Sequence, residues 1–128
     1  MTPFSFAVVG IGAALGAWLR WLLSVWLNPV FALLPLGTLV ANLVGGLLMG
    51  VAMGLMSEAA NWSQEMRLFA TTGFLGGLTT FSTFSGEAAS LISREEYGWS
   101  ALLISAHVAG SIAATLGGIA LVKFFVRA

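Results

Sequence analysis

The stretch Gly73–Glu87, which reads GFLGGLTTFSTFSGE, lies inside a long apolar segment but lacks the composition of an ordinary membrane-spanning helix. Its first five residues include three glycines, each of which lowers helix propensity by about 1 kcal/mol relative to alanine. Five hydroxyl side chains follow within seven residues, with two phenylalanines among them. At membrane depth an interrupted helix is tolerated only where it is buried in protein or lines a water-filled cavity. The stretch therefore predicts a polar pathway or binding site.

The composition is that of an integral membrane protein. The 128 residues are 59% hydrophobic and only 8% charged, with a mean hydropathy of +0.98, whereas a soluble domain carries about 25% charged residues. The chain has no cysteine, which excludes disulfides and thiolate sites, and zero net charge argues against nucleic-acid binding. A single histidine leaves little for a nucleophile constellation, so we do not expect an enzyme.

The hydropathy pattern predicts an all-α membrane protein of one transmembrane domain with four transmembrane helices. A span needs about 20 apolar residues, and four such segments lie at about residues 3–27, 35–56, 66–92 and 99–125. A polar loop is predicted at 57–64. The third helix is predicted to be broken at 76–80. In the second span, Gly46, Gly50 and Gly54 recur at four-residue spacing, which is typical of close helix packing.

A broken helix can bind both cations and anions. Its first half ends in unused carbonyl groups that can coordinate a cation, and its second half begins with free N–H groups that can hold an anion. Phe81 and Phe84 share a helix face and can present their positive ring edges to a small anion. The hydroxyls of Ser82, Thr83 and Ser85 can pass on a dehydrated anion. In the alternative interpretation, the phenylalanines only pack against other helices and the hydroxyls bond to their own helix. The neighbouring glycine pair and the two threonines make this alternative weaker.

Four further polar residues leave alternatives open. Asn42 can join two helices or donate its amide to a passing anion, and spacing alone does not decide between them. Glu87 suits a proton-coupled site, a wet vestibule or a protonated carboxyl. Arg20 suits an interfacial anchor among tryptophans or an anion route. A lone His107 is not a metal site and fits better as a hydrogen-bonding group beside the hydroxyls.

The basic residues show almost no bias between the two sides of the predicted membrane domain. Arg67, Lys123 and Arg127 fall on the side of the termini, whereas Arg20 and Arg94 fall on the other. Because the lysine and arginine bias sets orientation, such a chain could insert either way up. Two oppositely oriented copies could then form a symmetric dimer, the two-chain counterpart of an inverted repeat.

Three segments resemble a known family. Residues 73–84, GFLGGLTTFSTF, resemble the signature of the Fluc-type fluoride channels, the camphor-resistance protein family; residues 37–45, GTLVANLVG, resemble their second-span motif, and residues 12–20 their first-span pattern. The resemblance covers essentially the whole chain. It implies a passive, fluoride-selective channel that lowers cytoplasmic fluoride, in the bacterial inner membrane. It also implies an antiparallel, dual-topology homodimer with two pores, surrounded by lipid.

The resemblance also implies residue roles. A structural sodium ion at the dimer centre would be held by the backbone carbonyls of Gly76 and Thr79 from both subunits. The implied fluoride pathway consists of the ring edges of Phe81 and Phe84, the amide of Asn42, the hydroxyls of Ser82, Thr83, Ser85 and Ser111, and a central vestibule lined by Thr38 and Glu87. His107 occupies a position where relatives usually have tyrosine.

Two other functions remain as alternatives. A small multidrug-type proton-coupled exporter is also a four-span homodimer of this length, but it needs a membrane carboxylate, ordinarily in the first span, where this chain has no acid. A non-transporting membrane subunit would leave the polar break without a purpose.

Overall fold

The computed structural model describes residues 1–58 and 61–127, and every regular element within these ranges is helical. The elements are α1 (Pro3–Leu27), a 3₁₀ turn (Asn28–Val30), α2 (Leu36–Glu58), α3 (Gln64–Arg67), a π-helix (Leu68–Leu75), α4 (Gly76–Leu78), α5 (Phe81–Ser93) and α6 (Tyr97–Arg127). Three stretches in the described part of the chain are long and apolar enough to cross a membrane: Pro3–Val30, Leu36–Glu58 and Tyr97–Arg127. The predicted 57–64 loop is shorter at its start, because α2 continues to Glu58; residues 59 and 60 lie outside the described ranges.

The helices begin where side chains can satisfy their first N–H groups. Thr2 Oγ1 accepts a hydrogen bond from the Ser5 N–H at 3.1 Å, directly before Pro3. Ser63 Oγ accepts one from the Met66 N–H at 3.2 Å. These are the preferred N-cap residues, and proline suits the first helical position because its missing N–H would have no partner there.

The third apolar segment consists of two helical parts separated by two extended residues. Residues 64–78, the upstream half-helix, comprise α3, the π-helix and α4. Thr79 (φ −90°, ψ 155°) and Thr80 (φ −150°, ψ 115°) are extended, and α5, the downstream half-helix, begins at Phe81. The gap is therefore narrower than the predicted 76–80, because residues 76–78 are still helical.

Two of the three glycines that we expected to break the helix, Gly73 and Gly77, pack closely against α1 instead. A Cβ on Gly77 would collide with the backbone of Ala13, and a Cβ on Gly12 would lie 2.7 Å from the carbonyl oxygen of Phe69. The two helices thus approach closely through their backbones, which small residues permit. The propensity argument was wrong about these positions because it considered the helix in isolation.

The remaining packing places the gap between α2 and α6. These two helices cross closely, because a Cβ on Gly50 would lie 3.0 Å from the Cα of Gly118. The downstream half-helix packs on α6 through a buried cluster of Phe84, Ala88, Leu91 and Leu103. The upstream half-helix packs on α2 through Ala41, Leu75 and Leu78.

Candidate functional site

Asn42 holds the gap between the two half-helices. Its Nδ2 donates to the Thr80 carbonyl oxygen at 3.1 Å, and its Oδ1 accepts from the Thr80 N–H at 2.8 Å. One carboxamide thus satisfies both backbone polar groups of a residue that lies outside a helix. The same Nδ2 lies 2.9 Å from Nδ1 of His107 on α6. Asn42 therefore joins α2, the gap and α6, and both of its amide hydrogens have partners.

A cavity of about 320 Å³ lies beside this contact, between the gap, α2 and α6. It brings together four of the predicted pathway residues: Asn42, Phe81, Phe84 and Ser111. The rings of Phe81 and Phe84 meet edge-to-face, with centroids 5.5 Å apart and planes at 72°. Phe84 is buried and stacks on His107 at 4.5 Å, whereas Phe81 is 77% exposed. The cavity therefore has phenyl groups on one wall and hydrogen-bonding groups on another.

Thr80 organises the hydroxyl groups at the start of the downstream half-helix. Its Oγ1 accepts from the Thr83 N–H at 3.1 Å, donates to Thr83 Oγ1 at 3.1 Å and lies 3.4 Å from Ser82 Oγ. The hydroxyls of Ser85 and Ser111 make no hydrogen bond within the described part of the chain. The predicted hydroxyl groups are thus divided between a cluster around Thr80 and two free donors.

The two predicted vestibule residues are in direct contact. Thr38 Oγ1 donates to Glu87 Oε2 at 2.7 Å, and Thr38 is only 1% exposed. The other oxygen, Oε1, is buried and makes no hydrogen bond to the described residues. Glu87 and Thr83 line a second cavity, of about 350 Å³, that also contains Arg94. The two cavities are thus lined by six of the predicted pathway residues, whereas Thr38, Ser82 and Ser85 line neither.

Arg20 makes a contact that neither interpretation of its sequence position anticipated. Its Nε donates to the Gly77 carbonyl oxygen at 3.0 Å, 57 positions along the chain. Carbonyl groups at the end of a helix lack an intrahelical donor, so a partly buried arginine can satisfy one of them. No periodicity could reveal a pair so distant in sequence. Thr80 was also missed as a site residue, although its position after the glycine pair marked it as a possible helix start.

The carbonyl groups of Gly76 and Thr79 suit a monovalent cation. Neither oxygen accepts a hydrogen bond from the described residues, and both residues line a third cavity, of about 270 Å³. Across residues 1–58 and 61–127, no group of three or more metal-ligating side chains occurs. Unwound backbone carbonyls are the ligands with which broken membrane helices coordinate sodium. The donor set therefore fits the ion implied by the resemblance.

Comparisons with known proteins identify close relatives along the whole chain. The family model described as CrcB-like protein, Camphor Resistance (CrcB), matches residues 7–119. Three similar proteins are each named fluoride-specific ion channel FluC. The Nitrosospira multiformis protein is 50% identical over 99% of both chains. The Aromatoleum aromaticum protein is 56% identical over 84% of this chain and 82% of its own, and the Ralstonia pickettii protein is 52% identical over 98% and 99%.

Proposed function

This chain belongs to the CrcB-like protein family, and we propose that it is a multi-pass membrane protein that conducts fluoride selectively and passively. The family and the names of its relatives support the ion, and the three long apolar helices support the membrane location. The composite segment 64–93, interrupted at Thr79 and Thr80, then provides the fourth crossing. The bacterial inner membrane is the location at which such a channel would lower the fluoride concentration of the cytoplasm.

The cavity beside the gap is the observation that carries this proposal. Fluoride is small and strongly hydrated, so a pore must replace its water with donors that bind without trapping it. The cavity offers the Ser111 hydroxyl, the Asn42 amide and the rims of two phenyl rings, and no arginine or lysine lines it among the described residues. This combination compensates dehydration while leaving the ion free to leave.

The two cavities suggest a sequence of steps along the pore. Fluoride enters beside Glu87, passes the hydroxyls of Thr83 and its neighbours, and moves along the edges of the phenyl rings toward Ser111. At Asn42 it must compete for an amide hydrogen, because both hydrogens already have partners. The competition keeps binding at this point weak, as conduction requires.

We further propose that the channel is an antiparallel, dual-topology homodimer with two pores. The 77% exposure of Phe81 supports this arrangement, because a ring expected to rim a pore has no cover within one chain. A second copy could supply that cover. A sodium ion between the copies would be held by the Gly76 and Thr79 carbonyls of both. Its positive charge would compensate the partial negative charges of these oxygens.

The multidrug-exporter alternative is not favoured, because the full-length relatives are named as fluoride channels. Glu87 also accepts a hydrogen bond from Thr38 and lines a different cavity from the one that Ser111 lines. Proton-coupled drug uptake that Glu87→Gln abolishes would reverse this conclusion.

Efflux from vesicles that contain the pure protein tests the proposal directly. Fluoride and chloride electrodes would follow parallel samples, with potassium and valinomycin present to balance charge. We expect rapid fluoride efflux without a proton gradient and chloride efflux no faster than from protein-free vesicles. Equal rates for the two anions, or no fluoride efflux above the leak, would contradict the proposed function.

A further inference from the structure

The hydrogen bonds of Asn42 determine which nitrogen of His107 carries the proton. Because the Thr80 N–H must donate to Oδ1, the amide nitrogen necessarily faces both the Thr80 carbonyl and His107 Nδ1. An amide nitrogen only donates, so Nδ1 must accept. In the neutral imidazole the proton then lies on Nε2.

The His107 side chain is buried at the edge of the cavity. It is 4% exposed, it stacks on Phe84 with centroids 4.5 Å apart and planes at 27°, and it lines the cavity beside the gap. Its Nε2 is buried and has no hydrogen-bond partner in the described part of the chain. One ring nitrogen is therefore committed to Asn42, and the other is a donor without a protein acceptor.

We propose that His107 is a pH-sensitive positioning residue of the fluoride pathway, holding Asn42 against Thr80 when it is neutral and releasing it when Nδ1 is protonated. The inference rests on the proposed function for its effect on flux. The hydrogen-bond arrangement of His107 does not depend on the proposed function and can be measured without transport.

Protonation leaves Asn42 no equivalent arrangement. In its present orientation, Nδ2–H would face Nδ1–H, two donors in contact. If the carboxamide rotated by half a turn, Oδ1 could accept from His107, but it would then face the Thr80 carbonyl while Nδ2 faced the Thr80 N–H. The neutral state satisfies three hydrogen bonds, and each protonated alternative loses at least one. Because Thr80 caps the downstream half-helix, the change reaches the gap itself.

Of the titratable groups on the described elements packed around His107, Glu87 is the one to consider, because Glu58, Tyr97, Lys123 and Arg127 lie toward the ends of α2 and α6. Across the described residues, α2 contributes no charged side chain near Asn42, and the downstream half-helix contributes Glu87, whose carboxylate bonds Thr38 one helical turn before Asn42. On α6 the cavity-lining neighbours of His107 are uncharged. A Glu87→Gln variant therefore separates the titration of the two groups.

The first experiment observes the ring without any transport. The chain has one histidine, so ¹⁵N labelling of histidine in tag-free protein in lipid bilayers gives a single pair of ring signals. We expect the neutral ring to be protonated at Nε2, and Asn42→Ala to shift the Nδ1 signal. A ring protonated at Nδ1 at neutral pH would overturn the inference, whatever the protein conducts.

The second experiment measures flux between about pH 8 and pH 5, the range in which histidine titrates. After subtraction of the leak from protein-free vesicles at each pH, we expect fluoride flux to fall about three- to tenfold on acidification, the equivalent of one net hydrogen bond. His107→Gln retains an acceptor oxygen but cannot titrate, so the step should disappear; in Glu87→Gln it should remain.

The outcomes separate the two proposals. A wild-type protein without fluoride flux at neutral pH would contradict the channel. A conducting protein whose flux does not change with pH, or whose pH step persists in His107→Gln, would contradict the role of His107 alone.

Discussion

At the scale of single residues, the two phenylalanines of the gap have different surroundings and should respond differently to substitution. Phe84 is 6% exposed and packs on His107, whereas Phe81 is 77% exposed and contacts Phe84 through an edge-to-face pair. Replacing either ring by an aliphatic side chain removes the positive ring edge from the cavity. Only at Phe84 does it also remove a stacked, buried ring.

We therefore expect Phe81→Ile and Phe84→Ile both to reduce fluoride flux, by about fivefold, since a ring contact contributes about 1 kcal/mol beyond its area. Phe84→Ile should also lower the thermal stability of the purified protein, and Phe81→Ile should hardly change it. Phe124→Ile is the control, because this ring is also exposed but pairs with Phe125 far from the cavity. Undiminished flux in both gap variants would remove the ring edges from the mechanism.

Local sequence could identify some of these residues but not their partners. Asn42, Phe81 and Phe84 stand out as an amide in an apolar span and an i, i+3 pair after a glycine-rich stretch. The contacts that fix them join residues far apart in the chain: His107 lies 65 positions from Asn42, and Arg20 lies 57 from Gly77. No local period encodes such pairings, because they depend on how whole helices pack.

At the scale of secondary-structure elements, hydropathy indicated the three long apolar helices of the described chain, but not the internal geometry of the interrupted segment. The amino-acid composition of this segment does not indicate the π-helix at Leu68–Leu75. Its wider turns occur mostly as local bulges at functional sites. Residues 76–78 were assigned to the break, whereas they are helical and Gly77 lies against the backbone of α1.

The close approach of α1 to the upstream half-helix gives a prediction at this scale. A Cβ on Gly16 would collide with the Phe74 carbonyl oxygen and lie 2.7 Å from the Leu78 nitrogen, all of them backbone atoms. We expect Gly16→Ala to separate the two helices, to lower resistance to unfolding in SDS and to reduce flux by moving the gap.

Gly10→Ala is the matched control on the same helix, because nothing lies within 4 Å of the added Cβ. It should be neutral or slightly stabilising, since alanine has the higher helix propensity by about 1 kcal/mol. Equal loss of stability in the two variants would show that close backbone contact does not hold these helices together.

At the scale of the whole molecule, the distribution of charge is compatible with insertion in either orientation. The chain has five basic residues in total, and one of them is neutralised by a partner: Arg127 Nη2 lies 2.8 Å from Glu58 Oε1, which also brings the ends of α6 and α2 together. The short connections leave few other positions from which lysine and arginine could set the orientation.

Single-cysteine labelling tests the dual topology, and the natural chain helps because it contains no cysteine. Asn61 precedes α3 and Tyr97 begins α6; both are exposed, and they lie at opposite ends of the segment 64–93 that separates them. Neither substitution changes a basic residue. If both orientations occur equally, an impermeant thiol reagent added outside sealed cells should label about half of the copies at each position.

A single orientation predicts a different result, with near-complete labelling at one position and almost none at the other. Permeabilised cells provide the control for reactivity, since both cysteines should then label fully. A shift of the labelling ratio after Glu95→Lys, which adds a positive charge at one end only, would further show that the natural ratio reflects balanced charge. Labelling of Asn61→Cys from one side alone would contradict the antiparallel dimer. Fluoride conduction by the protein would still be decided by the flux measurement.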